Sequence, residues 1–215
     1  MTAIPALSLL ETRVLGVLVE KQHTVPDAYP LTLNALVAGC NQKTSRDPVL
    51  EAADAEVQAA IDRLKSLTLL MESSGGRVMR YAHNAGKGLG LPPQSIALLT
   101  ALFLRGPQTA GELRINTDRL HRFGDILAVE GFLNELAEKS FVRELAKQPG
   151  ARETRWAHLL SGEPIIAEAT ATPSGRADAV GMGEMAAMRA EVDELRRDMA
   201  QLRLEVERLR ADLGS

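Results

Sequence analysis

The apolar residues near the N-terminus recur with the period of an α-helix. Val14, Leu15 and Leu18 fall on one face. Ser8 and Glu11 precede this run at the spacing of a capping box, so a helix is predicted to begin there. A second apolar run with the same period extends over residues 93–105 and stops at a Gly-Pro step.

A shorter helix is predicted after each long one. Thr32 is placed to cap LNALVAGC, and Thr109 with Glu112 forms a capping box for AGELRI. Residues 57–83 and 129–158 then repeat a single pattern of apolar helix, short strand, turn and second strand. The two copies end in the matching stretches RYAH and RWAH.

This repeated order of three helices and a hairpin predicts two tandem winged helix-turn-helix domains. The fold class expected is mainly α with small β-hairpins, or α+β. The first domain is predicted over residues 1–88 and the second over 89–162. Between them, NAGKGLGLPP is rich in glycine and proline and predicts a linker.

The C-terminal part is predicted to form a flexible linker over residues 163–182 and a coiled-coil helix over 183–213. Apolar residues from position 185 onward alternate in steps of three and four, which is the a/d pattern of a coiled coil. The e positions are arginines and the g positions are acids, a charge order that favours a parallel homodimer. A single solvated helix, or one folded back on the body, is the alternative. The predicted dimer contacts are Met188, Val192, Leu195, Met199, Leu202, Val206 and Leu209.

Composition supports helical packing and gives no sign of a membrane protein. Hydrophobic residues make up 45% of the chain and aromatic residues only 3%. No apolar run approaches the roughly 18 residues that cross a bilayer, and the N-terminus lacks a signal-peptide pattern. A soluble, cytoplasmic protein is therefore expected.

Charge is distributed unevenly along the chain. Residues 1–88 carry 9 Lys and Arg against 9 Asp and Glu, and residues 89–162 carry 9 against 8. Residues 163–215 carry 7 against 11, so the acidity lies in the tail. The body has no strong basic bias of the kind that marks many DNA-binding domains.

The stretch VLVEKQHTVPDAYPLTLNALVAGCNQKTSRDPV resembles the YceH-like family of uncharacterised bacterial proteins, as do GPQTAGELR and RLHRF further on. The similarity covers about residues 8–162. It implies two winged-helix domains and a cytoplasmic bacterial protein, and it supplies no catalytic residues. Winged-helix kinship suggests DNA binding only by analogy.

The candidate nucleic-acid contacts lie mainly between the second and third helices of each domain and in the wings. Such segments can donate to phosphates and position a protein on a duplex. The alternative is a solvated connector whose side chains cap neighbouring helices. The candidates are Asn41, Gln42, Lys43, Thr44, Ser45, Arg46, Arg77 and Arg80 in the first domain, and Arg114, Arg119, Arg122 and Arg152 in the second.

The predicted third helices, DAEVQAAIDRLKSL and DILAVEGFLNELAEKS, argue against conventional base readout. Both carry more acidic than basic residues, and acidic helices are repelled by phosphates. Two hypotheses remain: a DNA-binding or transcription-associated module, and a protein-interaction adaptor whose acidic helices meet a basic partner.

Enzymatic activity is not expected. Cys40, the one cysteine, falls on the apolar side of a short helix, where a cysteine is usually a small core residue. No second cysteine or HxxxH spacing indicates zinc, and GKGLGL lacks the context of a phosphate-binding loop. The sequence therefore predicts no catalytic residue, no metal site and no cofactor.

Overall fold

The computed structural model describes residues 6–74, 78–147, 150 and 153–162. The first repeat contains three helices and a hairpin, with a short 3-10 turn at Pro26–Ala28. Its elements are α1 (Leu9–Thr24), α2 (Leu33–Cys40), α3 (Asp54–Ser66), β1 (Leu70–Ser74) and β2 (Met79–His83).

The second repeat has the same order and follows a short connecting helix, α4 (Ala85–Leu89). Its elements are α5 (Pro93–Arg105), α6 (Ala110–Asn116), α7 (Ile126–Glu138), β3 (Val142–Glu144) and β4 (Trp156–His158). The described part of the chain thus contains seven α-helices and two antiparallel strand pairs. The predicted mixture of helices with small hairpins is confirmed.

The predicted helix starts are confirmed by their caps. At α1, the N–H of Ser8 donates to the Glu11 carboxylate (2.7 Å), and the N–H of Glu11 donates to the Ser8 hydroxyl (3.1 Å). Thr109 and Glu112 form the same capping box at α6. Thr32 accepts the N–H of Ala35 at the start of α2. These caps satisfy N–H groups that have no partner within the helix.

The hairpins of the two repeats correspond closely. Leu70 pairs with His83 at the base of one hairpin, and Val142 pairs with His158 at the base of the other. Both third helices also end alike, with a positive-φ residue at Thr68 and at Ser140 (φ 59 in each). The N–H of the following residue bonds a carbonyl five residues back, which is a Schellman ending.

The first and second repeats share one core through the packing of α1 against α5. The two helices approach closely at Gly16, where an added Cβ would lie 3.0–3.1 Å from the Leu104 side chain. Leu15 and Leu18 of α1, and Leu98 and Leu99 of α5, are fully buried. The long helices therefore hold the two repeats in one compact body, and this packing positions the site described below.

The segment predicted as a linker between the repeats contains the short helix α4. Ala85 and Leu89 of α4 are buried, together with Leu91 that follows it. Gly90 has a φ of 65° and ends the helix in the left-handed conformation. This segment is rich in glycine, which disfavours a helix. Burial of the three apolar side chains nevertheless stabilises one helical turn.

The predicted linker over 163–182 and the coiled-coil helix over 183–213 lie outside the described residues. The domain boundary near residue 88 stays a prediction. Within the described ranges, no helix combines the length and apolar character that crossing a membrane requires.

Candidate functional site: a cleft between the two repeats

The connector between α2 and α3 is fastened to the body by buried arginines. Arg13 of α1 is fully buried and donates to the carbonyls of Cys40 (3.2 Å) and Pro48 (2.7 Å). Burial lowers the pKa of Arg13, with the charge of Arg46 acting in the same direction. Sequence reasoning missed Arg13, because a cation on an apolar helix face gives no sign of its partners.

Arg46 belongs to the same buried arrangement. Its side chain has 0% exposure and donates to both carboxylate oxygens of Glu20 (3.1 and 2.6 Å). It also donates to the carbonyl of Gly39 near the end of α2 (3.2 Å). The sequence predicted Arg46 as a phosphate contact. The structure corrects this expectation, since an enclosed guanidinium held by a carboxylate is not available to a surface ligand.

Two further candidates make bonds within the fold. The Asn41 side chain donates to the carbonyl of Ala52 (2.9 Å) and accepts its N–H (2.8 Å), so it ties the connector to the start of α3. Arg80 donates to the carbonyl of Pro30 (2.8 Å) and joins the hairpin to the loop before α2. The side chains of Asn41 and Arg80 therefore bond backbone groups of neighbouring segments, as the alternative of a capping connector predicted for Asn41.

Other candidates meet at a cleft between the repeats, here named the inter-repeat cleft, with a volume of about 600 Å³. Gln42 and Ser45 belong to the first connector, which joins α2 to α3, and they line the cleft. Arg119 belongs to the second connector, which joins α6 to α7, and it lines the same cleft. The two connectors are far apart in sequence, and the packing of α1 against α5 brings them together. Additional polar lining comes from Glu20, Lys21, Thr24, Arg105, Asn116 and Asp118.

Direct bonds cross between the repeats beside this cleft. Arg105 of α5 donates to the Ser45 hydroxyl (2.9 Å), and the N–H of Asp47 donates to the carbonyl of Leu104 (2.8 Å). Within the first repeat, Lys21 donates to the side chain of Gln42 (3.3 Å). These bonds fix the geometry of the cleft. Sequence reasoning did not single out Lys21 or Arg105, since both lie within helices.

The electrostatics of the inter-repeat cleft favour anions. Lys21, Arg105 and Arg119 line it against the carboxylates of Glu20 and Asp118. Burial alone would raise the pKa of Glu20, but hydrogen bonds and charge from Arg46, with a contribution from Lys21, hold that pKa below its ordinary value. The Glu20 carboxylate is therefore paired with two cations, the buried guanidinium of Arg46 (2.6 Å) and the ammonium of Lys21 (3.4 Å).

The remaining candidates are exposed or fall outside the described residues. Lys43 and Thr44 are exposed on the first connector. Arg122 is exposed near Asp118 (3.7 Å), and Arg114 is exposed on α6. Arg77 and Arg152, which the sequence predicted in the wings, lie outside the described residues.

The third helices present acidic surfaces, as their sequences predicted. Asp54, Glu56 and Asp62 are exposed on α3, and Glu135 and Glu138 are exposed on α7. The cations of α3 are engaged locally: Arg63 bonds Glu11 (3.1 Å), and Lys65 pairs with Glu72. Neither helix offers a continuous basic face to a phosphate backbone.

Cys40 and the two histidines at the strand ends, His83 and His158, have pKa values shifted by burial. Cys40 is fully buried, and burial raises the pKa of its thiol to about 12, so it is not poised as a nucleophile. Burial lowers the pKa of His158 to about 4, and burial with the charge of His23 does the same for His83. The interpretation of Cys40 as a core residue is confirmed.

Comparison with known proteins finds a family match and similar bacterial relatives. Residues 7–151 match the family model described as "Protein of unknown function, DUF480". A UPF0502 protein of Dechloromonas aromatica is 58% identical over 197 residues, which cover 90% of this chain and 91% of the relative. UPF0502 proteins of Leptothrix cholodnii (58% over 193 residues; 86% and 85% covered) and Methylibium petroleiphilum (55% over 198; 91% and 85%) are also similar.

Proposed function

Since the chain belongs to the DUF480 family of bacterial proteins, whose description names no activity, we propose a function from its own geometry. The protein is a non-enzymatic nucleic-acid-binding module that holds a phosphate backbone along the inter-repeat cleft. One observation carries the proposal: residues from both repeats meet at one cleft, whose described lining has three cations (Lys21, Arg105 and Arg119) and two carboxylates (Glu20 and Asp118).

The proposed contacts are the exposed cations at and beside this cleft. Lys43, Arg119 and Arg122 have charged ends that solvent reaches, and Arg119 lines the cleft itself. Backbone contacts of this kind set position and affinity without reading sequence. Binding would therefore be strongly salt-dependent and only weakly sequence-selective.

The finer fold assignment is part of the same proposal. The order of three helices and a hairpin, present twice, supports a tandem winged helix-turn-helix arrangement. In the usual docking of that motif, the third helix enters the major groove. Here the acidic α3 and α7 oppose that mode, so the proposed protein docks through its connectors instead. The cytoplasmic location expected from the sequence suits such a role.

A salt titration tests the proposal. The full chain, titrated with random-sequence duplex DNA at increasing salt, is expected to show a negative slope of log affinity against log salt. Each phosphate contact contributes about −0.9 to the slope, so three contacts predict roughly −3. The variant Lys43→Ala/Arg119→Ala/Arg122→Ala is expected to lose most of this slope, because it removes the proposed contacts.

A matched variant separates local contacts from net charge. Lys87→Ala/Lys139→Ala/Lys147→Ala removes the same number of exposed cations, none of which lines the inter-repeat cleft. It should retain the wild-type slope. Absence of binding at low salt, or an equal loss in both variants, would count against the proposal.

Self-association through residues 183–213 is the second part of the proposal. It is supported by the heptad pattern, in which arginines at e face acids at g in a parallel pair. Sedimentation is expected to give a dimer for the full chain and a monomer after truncation at residue 180. A full chain that sediments as a monomer would remove the coiled-coil proposal.

The alternative function is a protein-interaction adaptor that does not bind DNA. The exposed acids of α3 and α7 favour it, since they suit a basic protein surface better than a duplex. The salt titration distinguishes the two functions, because an adaptor of this kind gives no duplex binding at any salt concentration.

A further inference from the structure

A second concave surface lies in the second repeat, between α7 and the β3–β4 hairpin. This groove, here named the acidic groove, has a volume of about 530 Å³. Its apolar lining comes from Ala110, Ile126 and Trp156. Among the described residues, its polar lining includes the carboxylates of Glu130, Glu144 and Glu153 and the ammonium of Lys147.

Apolar surface continues beyond the groove at the start of α7. Ile126 is 45% exposed and Leu127 is 75% exposed, and both lie in the first turn of the helix. Exposed branched side chains beside a groove with some apolar lining are typical of binding sites rather than of solvated helix ends.

The first repeat provides an internal comparison, because the corresponding surface there is closed by its own side chains. Lys65 of α3 pairs with Glu72 of β1. The Tyr81 hydroxyl donates to the side chain of Gln58 (3.3 Å), which in turn donates to Asp62 (3.1 Å). Polar groups of this helix and hairpin therefore satisfy one another.

Among the described residues of the second repeat, these pairs have no counterparts. At the constant offset between repeats, Ala137 takes the place of Lys65, while Glu144 retains the acid of Glu72. Among the described residues, no salt bridge is formed by Glu144, and its carboxylate accepts a hydrogen bond from the Thr154 hydroxyl. On the described helix face, the carboxylate of the hairpin is therefore retained while the lysine that pairs with it in the first repeat is replaced by alanine.

The face of α7 that lines the acidic groove also differs from the corresponding face of α3. Trp156 replaces Tyr81 and has no hydroxyl to close the groove, and Glu130 replaces Gln58. Ile126 stands where the first repeat has Asp54. Asn134 also replaces Asp62, so the helix face has one carboxylate fewer than its counterpart, while the hairpin residues Glu144 and Glu153 supply further negative charge.

We propose that the acidic groove binds a basic segment of a partner protein, in which lysine or arginine alternates with apolar residues. Charge complementarity identifies this occupant, since three carboxylates line the groove together with the apolar side chains of Ile126 and Trp156. The cations pair with Glu130, Glu144 and Glu153, and the apolar side chains pack on Ile126 and Trp156. Duplex DNA is repelled from the same surface. This inference does not depend on DNA binding at the inter-repeat cleft.

Trp156 supplies a direct readout, because it is the one tryptophan of the chain and it lines the groove. The full chain is titrated with a capped Lys-Leu-Lys-Leu-Lys peptide while tryptophan fluorescence is followed. Saturable binding with a shifted emission is expected. A Lys-Ser-Lys-Ser-Lys peptide should bind more weakly, and neither a Glu-Leu-Glu-Leu-Glu peptide nor duplex DNA should shift the emission.

The variant Glu144→Gln/Glu153→Gln keeps side-chain size and the acceptor for Thr154 but removes two charges. Its affinity for the lysine–leucine peptide is expected to fall roughly fivefold to thirtyfold. Glu135→Gln/Glu138→Gln, which changes two exposed acids of α7 outside the groove lining, should bind as the wild type does. No binding up to about 1 mM peptide, or equal losses in both variants, would overturn the proposal. An emission shift caused by duplex DNA would assign the groove to nucleic acid instead.

Discussion

Arg46→Met is expected to lower the free energy of unfolding by about 3–5 kcal/mol, the range for breaking a buried ion pair by removing one partner. The Arg46 side chain has 0% exposure, and that of Glu20 has 18%. Without the guanidinium, the Glu20 carboxylate loses its bidentate partner in a largely desolvated position. The carbonyl of Gly39 also loses a donor.

Chemical denaturation of three variants measures this effect. The double variant Glu20→Met/Arg46→Met should recover much of the loss, because it leaves no uncompensated charge. Arg46→Lys should be intermediate, since one ammonium cannot reproduce a planar, forked set of donors. A loss of less than about 1 kcal/mol in Arg46→Met, typical of a surface pair, would contradict the buried role.

The pH dependence of stability follows from the same pair. The folded-state pKa of Glu20 is lowered, so the unfolded chain takes up the proton first as pH falls. The stabilisation is complete above the unfolded pKa of about 4.3 and is lost as pH falls through the folded value. In Arg46→Met, this acid-dependent loss should shrink.

The helices and hairpins of the fold were predictable because their signals are local. The caps at Ser8, Thr32 and Thr109 involve partners within three residues, and the apolar periods are read within one helix. The helix α4 was missed because Gly86 and Gly88 signal a turn. Burial of Ala85 and Leu89 against the rest of the fold outweighs that local preference.

The candidate site was predictable only in part, because its geometry depends on distant partners. Arg46 and Glu20 are 26 residues apart, so nothing in the motif NQKTSRD reveals that its arginine is buried. The motif is therefore divided between structural residues and exposed ones. The meeting of both connectors depends on the packing of α1 with α5, which periodicity does not determine.

Site-directed photocrosslinking to duplex DNA is expected to give a strong crosslink from one labelled position and almost none from another. Cys40 is the one cysteine and is fully buried, so an introduced thiol can be labelled selectively. Thr44→Cys places a label on the exposed connector next to Gln42, which lines the inter-repeat cleft. Ala55→Cys places one on the exposed surface of α3.

The crosslink from each position to random-sequence duplex DNA distinguishes docking over the inter-repeat cleft from docking on the third helix. The two labelled variants are compared at low salt and then at high salt, where the crosslink should disappear as phosphate contacts weaken. If the duplex lies over the inter-repeat cleft, an efficient, salt-sensitive crosslink is expected from position 44 and little from position 55. A strong crosslink from position 55 with little from position 44 would contradict it, because the duplex would then lie on the third helix and not over the cleft.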